Sequence, residues 1–498
     1  MAAEEWIAGP GIAARNLRLL ERTWREIADH GAPRIPRASL RRRRGGQLVV
    51  QVLPDDAWDR LAWAGSRAEV WMEPEEGRPE PPATLLGAGR EPPPPGVALV
   101  LGAGNVNSIP LLDAVWKLFA ELRVVLLKLN PVNDYLEPHF ARLFRPLLDD
   151  GFLRLARGGG ETGAFLTAHP LVDSVHITGS VETHDRIVWG TGDEAARRRA
   201  EGRPQLTKPI TSELGNVSPV IVVPGEWSDS EITFAAENLA TQMVQNGGFN
   251  CNAAKVLVTS ERWPQRRALL DELARVLAAL PPRPAYYPGA EERWERFTEG
   301  RQGLKTLGER RPGVVPPALI EGVDHRVAQD PLFRQESFCA VTAEVLLPEG
   351  DPAGFLFEAA RFANDTLFGT LNAGIFVDPR TRRRLGHNLE EAVADLNYGS
   401  VAVNHWAAVS FGLGATPWGA FPGHTLADAG SGIGWVHNTR LLARPQKSVV
   451  YGPFVPRPKP PWLVTHANAL TASRRYFAFE AAPSPLRLAA LALAAARG

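Results

Sequence analysis

Apolar positions along this chain alternate between two rhythms. Short aliphatic runs at residues 97–101, 123–129, 152–155 and 172–177 have the length and β-branched content of buried strands. Between them lie stripes at helical spacing: Ile109, Leu112, Val115, Trp116 and Phe119 form one, and residues 134–148 carry the next. Strand, helix, strand at this spacing predicts a parallel, doubly wound α/β sheet. An earlier stripe of Ile12, Leu17, Leu20, Trp24 and Ile27 predicts a helix over residues 11–31, stopped by Gly31-Ala-Pro33. Residues 73–95, rich in Pro, Gly and Glu, read as a linker or irregular excursion. After a polar insert at 190–205, a second α/β region follows, with strands at 255–259, 341–347, 373–377 and 401–403, a helix at 263–280 and a Pro-rich stretch ending at Pro288.

These rhythms divide the 498 residues into 1–213, an N-terminal helical region with a Rossmann-type sheet, 214–425, a second α/β domain, and 426–498, a return to the first domain with a C-terminal extension. A hydrophobic content of 44% against 22% charged residues excludes a mostly disordered chain. Lys+Arg and Asp+Glu are both 55, so no global field recruits nucleic acid or an acidic membrane. The basic runs at 41–44 and 197–199 read as solvated loop charge. The last apolar stretch, 486–496, falls short of the ~20 residues a membrane span needs and reads as an amphipathic helix. Two cysteines are too few to staple a secreted scaffold, and the opening Met-Ala-Ala-Glu-Glu-Trp lacks a secretory signal, so the expected compartment is the cytoplasm. No His/Cys/Asp/Glu spacing suggests a metal site.

The chemistry concentrates around Cys251. It sits in Asn246-Gly-Gly-Phe-Asn-Cys251-Asn, whose polar, turn-forming flanks are poor core material. A backbone N–H at such a turn can stabilise a thiolate and later an oxyanion. Cys339, in Gln-Glu-Ser-Phe-Cys339-Ala-Val, reads instead as an inert buried thiol. Glu213, upstream in Glu213-Leu-Gly-Asn-Val-Ser-Pro219, supplies a candidate base. Gly102-x-Gly104-x-x-Asn107 looks like a dinucleotide fingerprint without its third glycine, or a plain strand-to-helix turn. Lys128 stands where the usual ribose-binding acid would be, and Gly179-Ser180 ends a strand before a helix, as a second phosphate-facing turn would.

With these residues in view, the chain resembles the aldehyde dehydrogenase superfamily from about residue 97 to about 450. The pieces run in the family's order: Ile109-Pro-Leu-Leu-x-x-x-Trp-Lys-Leu118, Val-Val-Leu-Leu-Lys128, Ile177-Thr-Gly-Ser180, Glu213-Leu-Gly-x-x-Ser-Pro219, Asn246 to Cys251, Gln335-Glu-Ser-Phe338, Asn364-Asp-Thr-x-x-Gly369, Gly399-Ser-Val-x-Val-Asn404 and Pro417-Trp-Gly-x-Phe421. The resemblance implies a Rossmann-type cofactor domain beside an α/β catalytic domain, and NAD(P) as cofactor. Cys251 would be the nucleophile and Glu213 the base that activates water. Lys128, Gly179 and Ser180 would contact the cofactor, with Glu336 on the nicotinamide-side ribose and Phe338 beside it. The implied reaction is thiolate attack on an aldehyde, hydride transfer and thioester hydrolysis.

The departures matter. The family's oxyanion asparagine directly precedes the aromatic-Pro pair; here Ser108 does, with Asn107 and Asn105 one and three places earlier. Either Asn107 reaches the site through a shifted backbone, or Ser108 and the cysteine N–H share the task. The acid that favours NAD over NADP is Pro131 here, so NADP should be used at least comparably. His405-Trp406 is placed either along the substrate channel or in ordinary packing. The Pro-rich run stands where the family has an oligomerisation hairpin, which favours a dimer over a tetramer. The rival readings are a CoA-linked acyl reductase or acylating dehydrogenase, suggested by the Gly-Asn-Val run at 104–106, a non-catalytic binding protein of the same fold, and a cysteine hydrolase, which the absence of a His near Cys251 in sequence disfavours.

Overall fold

The structure is a computed structural model and describes residues 1–75, 81–87 and 89–498. Two open sheets organise it. The smaller runs, in spatial order, Gly432–Ile433, Ile210–Leu214, Ser174–Gly179, Val97–Leu101, Val124–Lys128 and Leu153–Ala156. All neighbours are parallel except Gly432–Ile433, which lies antiparallel at the edge. The chain steps outward from Val97–Leu101 to Leu153–Ala156, then restarts on the other side at Ser174–Gly179. That reversal is a topological switch point, where a crevice opens beyond the carboxyl ends of the strands. Lys128 and Gly179 each end a strand at this edge, and Glu213 is the penultimate residue of Ile210–Leu214.

The larger sheet has eleven strands. Its centre is parallel: Pro445–Tyr451, Ser400–Val403, Asn372–Phe376, Pro219–Val222, Val256–Ser260, Val341–Leu347 and Ala318–Val323. The sequence groups residues 1–213 together, but Leu40–Arg42, Leu48–Leu53 and Arg67–Met72 extend this larger sheet, through antiparallel pairing of Arg67–Met72 with Pro445–Tyr451. Residues 426–498 likewise serve both sheets, through Gly432–Ile433 and Pro445–Tyr451.

Between the sheets' termini lies a helical layer. The helix Ile12–His30 ends at Gly31, whose φ of 79° is the left-handed conformation that favours glycine. Against it and the preceding turns pack Ala469–Ala481 and then Pro485–Ala495. Arg15, 1% exposed, ties the layer together: it donates to Asp59 Oδ1 at 2.9 Å, to Glu480 Oε1 at 3.1 Å and to the Leu413 carbonyl at 3.0 Å. The C-terminal extension is thereby anchored as a wall. The polar insert at 190–205 contains the helix Gly192–Ala200. Of the Pro-rich run at 73–95, residues 76–80 and 88 lie outside the described residues, and the part after them is tied to the C-terminal strand region by Leu85 N–H to the Leu441 carbonyl at 2.7 Å. Among the described residues, no helix is long and apolar enough to cross a membrane.

Candidate active site

The loop that carries Cys251 has a backbone few sequences tolerate. Asn246, Gly247 and Gly248 have φ of 56°, 69° and 80°, and a Cβ on Gly248 would lie 2.5 Å from the Ala340 nitrogen. Glycine is therefore required where this loop crosses the strand-entry segment at Cys339–Ala340. The polar side chains hold the shape: Asn250 Nδ2 donates to the Gln245 carbonyl and side chain at 3.0 Å each, and Asn246 Nδ2 to the Asn105 carbonyl at 2.8 Å. Ser218 Oγ and Asn372 Nδ2 donate to the Cys251 carbonyl at 3.2 and 3.3 Å. The asparagines that made this stretch poor core material are the scaffold of the loop.

Glu213 reaches the same point from the smaller sheet. Its carboxyl interacts with the Cys251 thiol and accepts from Trp418 Nε1 at 3.0 Å. Burial pushes Glu213 up to about 8, despite those hydrogen bonds, with the charges of Asp113 and Glu336 adding to the rise. Burial first, then the charges of Glu213 and Glu336, push the Cys251 thiol well above its ordinary range. At neutral pH both groups hold their protons, so thiolate formation depends on Glu213 giving up its own.

Two cavities meet here. One, of about 1600 Å³, is the crevice of the smaller sheet, and the other, of about 300 Å³, runs toward the helical layer. Asn105, Ile109, Thr178, Glu213 and Cys251 border both. Lys128, Gly179, Ser180, Glu336 and Phe338 line the crevice. Lys128 is buried and makes no side-chain hydrogen bond among the described residues; burial lowers its ammonium's pKa, and Asp134 opposes that fall. Ser180 Oγ accepts from Thr183 N–H at 3.2 Å, capping the helix Val181–Trp189. Gly102 and Gly104 serve packing: a Cβ would lie 2.7 Å from Pro110 Cβ or from Asn130 Cγ.

Glu336 decides what the crevice suits. A Cβ on Gly215 would fall 1.7 Å from its Oε2, so only glycine leaves room for this carboxyl. Its Oε1 is buried with no hydrogen-bond partner among the described residues, and burial pushes the group up to about 7 against the pull of Lys255 and Arg293. An orphaned buried acceptor of this kind fits a hydroxyl donor such as a ribose. Phe338 lies beside it with φ of 41°, packed edge-on against Tyr287 at 4.9 Å.

Two residues expected at the oxyanion position are elsewhere. Asn107 Nδ2 donates to Glu5 at 2.7 Å and Ser108 Oγ to the Ala8 carbonyl at 2.5 Å, because both sit at the start of the helix Ser108–Phe119 on the side covered by the N-terminal segment. Asn105 is the asparagine at the junction: its Nδ2 donates to the Phe249 carbonyl at 2.9 Å, and the residue borders both cavities. The sequence holds its trace in the close Asn-Val-Asn spacing, which leaves the register open. His405 and Trp406 line the smaller cavity; His405 Nε2 meets Ser66 Oγ at 3.3 Å and burial pushes its imidazole to about 4, while Trp406 Nε1 donates to the Asn252 carbonyl at 2.8 Å. Cys339 is fully buried in the larger sheet's core. Among the described residues, no group of three His, Cys, Asp or Glu is arranged to hold a metal.

The sequence pattern of the Aldehyde dehydrogenase family matches residues 56–420. The chain belongs to the aldehyde dehydrogenase family. It is 25% identical over 347 residues to a probable betaine aldehyde dehydrogenase of Schizosaccharomyces pombe, a match covering 64% of each chain. It is 28% identical over 192 residues to 4-trimethylaminobutyraldehyde dehydrogenase A of Danio rerio, covering 38% of this chain and 34% of that one. These matches span less than two thirds of either relative. Among solved structures, gamma-glutamyl-gamma-aminobutyraldehyde dehydrogenase from Burkholderia cenocepacia superposes with a TM-score of 0.56 at 20% identity, over 90% of this chain and 82% of the other. NADP-dependent glyceraldehyde-3-phosphate dehydrogenase from Bacillus halodurans, complexed with NADP, gives 0.55 at 18% identity, over 90% and 81%. The aldehyde dehydrogenase fold is thus common to all of them.

Proposed function

We propose that this member of the family oxidises an aldehyde to a carboxylate, with NAD(P) in the crevice and water as the final acyl acceptor. The observation that carries this reading is the contact between Cys251 and Glu213 at the junction of two cavities, the crevice being the more polar of the two. Ionised Glu213 takes the thiol proton, and the sulfur adds to the aldehyde carbon. The developing oxyanion lies by Asn105 Nδ2 and the Cys251 backbone N–H, both suited to hold it. Lys128 and Glu336 would hold the ribose hydroxyls, and the helix N-terminus at Ser180 faces the phosphates. Held there, the cofactor would supply the acceptor for the hydride that leaves the carbon. Glu213 gives up the thiol proton to solvent, then takes one from a water that attacks the thioester, and that second proton goes to the departing thiolate as the acid is released.

With Pro131 in place of an acid and Lys128 unpaired among the described residues, NADP should serve at least comparably to NAD, although Glu161 and Glu182 also border the crevice. A cytoplasmic homo-oligomer, with a dimer favoured over a tetramer, belongs to the same proposal and is read by light scattering. The test of function is an aldehyde panel with NAD and with NADP, followed at the reduced-nicotinamide absorbance, with and without CoA. Turnover without CoA supports water as acceptor. A requirement for CoA, or no turnover with any aldehyde, overturns the reading.

A further inference from the structure

The smaller cavity leads from Cys251 to the end of the chain, and nothing in the reaction itself requires that extent. Its polar groups cluster at the cysteine end, in Asn105, Asp113, Thr178 and Glu213. Beyond them, its walls come from segments remote in sequence: Ile12 of the N-terminal helix, Trp63, Val409, Trp462 and the last helix. Leu488, Leu491 and Ala495 stand three and four residues apart on Pro485–Ala495, so they share the face turned to the cavity, while Leu486 and Leu493 point outward at 84% and 66% exposure. Along the wall His405 Nε2 meets Ser66 Oγ at 3.3 Å, while His405 Nδ1 and Trp63 Nε1 are buried without a hydrogen-bond partner among the described residues, and His405 is uncharged at neutral pH. At the far mouth Lys459 is paired with Glu237. Away from Cys251 the lining holds no carboxylate among the described residues, so an ammonium carried along this wall would meet only aromatic faces, and a phosphate only Arg457, besides the paired Lys459, at the loop 456–462.

We propose that this cavity is the tail channel of the substrate, an aldehyde with an unbranched hydrocarbon chain, and that the helix Pro485–Ala495 is the wall that limits chain length. This rests on the aldehyde-oxidising reading. About 300 Å³ holds a tail of roughly eight to ten carbons, if a methylene fills about the ~30 Å³ of a water. Each methylene moved from water into such a wall contributes about 0.8 kcal/mol, or about fourfold in affinity.

The experiment has two readouts. Wild-type kcat/KM is measured from butanal to dodecanal, beside benzaldehyde and betaine aldehyde. In parallel, unreactive primary alcohols of the same lengths are titrated by calorimetry against the protein. Both series should steepen about fourfold per methylene and level near the channel's capacity. Leu491→Arg should abolish the chain-length dependence in both series. Leu491→Ala, a milder change that tests the wall should the arginine variant not fold, should shift the optimum to longer chains. Alcohol binding that follows chain length without aldehyde turnover keeps the channel and removes the oxidation reading. Turnover that ignores chain length, or that favours benzaldehyde or betaine aldehyde over octanal, overturns the channel and leaves the oxidation reading standing.

Discussion

The two cavities that meet at Cys251 are built by opposite means. The crevice is formed by the ends of parallel strands and by glycines that let groups approach closely, as Gly215 does for Glu336. Lys128 and Glu336 line it, the ammonium making no side-chain hydrogen bond and Glu336 Oε1 buried without a partner among the described residues. The smaller cavity is formed by helices and loops from both ends of the chain; its lining is mostly apolar, and among the described residues Trp63 Nε1, Asn252 Oδ1 and His405 Nδ1 are buried there without partners. A crevice that gathers a lysine, carboxyls and a helix start suits a specific polar ligand, whereas a mostly apolar wall selects chiefly by size and hydrophobicity. Cys251 belongs to both, which is why a single thiol can join a cofactor of fixed chemistry to a substrate defined by its tail.

The sharpest way to break this comparison is to remove the shared atom. Cys251→Ala should lower turnover by more than about 10³-fold, while binding in each cavity persists, read by cofactor titration and alcohol calorimetry. Cys339→Ala, in the packed core, should leave turnover intact and cost about 1 kcal/mol of stability by denaturant titration. Activity surviving in the Cys251 variant would remove the thiol from the mechanism.

Glu213→Gln separates the steps on either side of acyl transfer. General-base assistance contributes roughly 10²- to 10⁴-fold, so steady turnover should collapse by that factor. Because Gln cannot ionise, any rapid first burst of reduced nicotinamide measures thiolate formation that proceeds without the carboxylate. A variant with an undiminished steady rate would show that Glu213 is not the base for deacylation.

Arg15→Ala tests the helical side alone. The substitution leaves Asp59, buried at 2% exposure, without its cation and takes from the buried Glu480 one of its two, Arg18 remaining, and breaking a buried pair in this way costs about 3–5 kcal/mol. The transition in urea should move down accordingly. At temperatures where the variant stays folded, alcohol binding should weaken more than cofactor binding, since the network braces the wall of the smaller cavity. Equal weakening on both sides would show that the two cavities share one cooperative support.

This asymmetry also explains what the sequence made legible. Lys128, Gly179, Ser180, Glu213, Glu336, Phe338 and Cys251 stand on strand ends or on turns that demand particular residues, so each leaves a local trace. Parallel strands such as Val97–Leu101 and Val341–Leu347 show in the rhythm of apolar runs. Which asparagine borders the cavities did not, because Asn105 and Asn107 stand two places apart in one loop and Asn107 is drawn to Glu5, far away in sequence. The channel wall did not either. Leu488 and Leu491 have the spacing of any amphipathic helix, and only the packing of chain termini decides that they face a cavity. The strands Leu48–Leu53 and Arg67–Met72 owe their place to Pro445–Tyr451, a pairing no local pattern announces.

The finest test concerns the charge beside the junction. Asp113, 1% exposed, accepts from Thr178 Oγ1 at 2.8 Å, and its charge is one of those that raise Glu213. If ionised Glu213 is needed for turnover, the rate should climb about tenfold per pH unit and level off near the pKa of about 8. Asp113→Asn keeps the size of the side chain and removes its charge, so Glu213 should ionise more readily and the rising limb should move to lower pH. Stability follows the same sign. A buried carboxyl whose folded pKa lies above its unfolded value of about 4.5 contributes its full stability below 4.5 and loses it as pH rises through about 8. Lowering the folded pKa narrows that window, so wild type should lose more stability between pH 5 and 8 than the Asp113 variant. The measurements are a pH–rate profile and urea titrations at those two pH values. An unmoved limb would mean that Asp113 does not reach Glu213, leaving burial as the cause of the raised pKa.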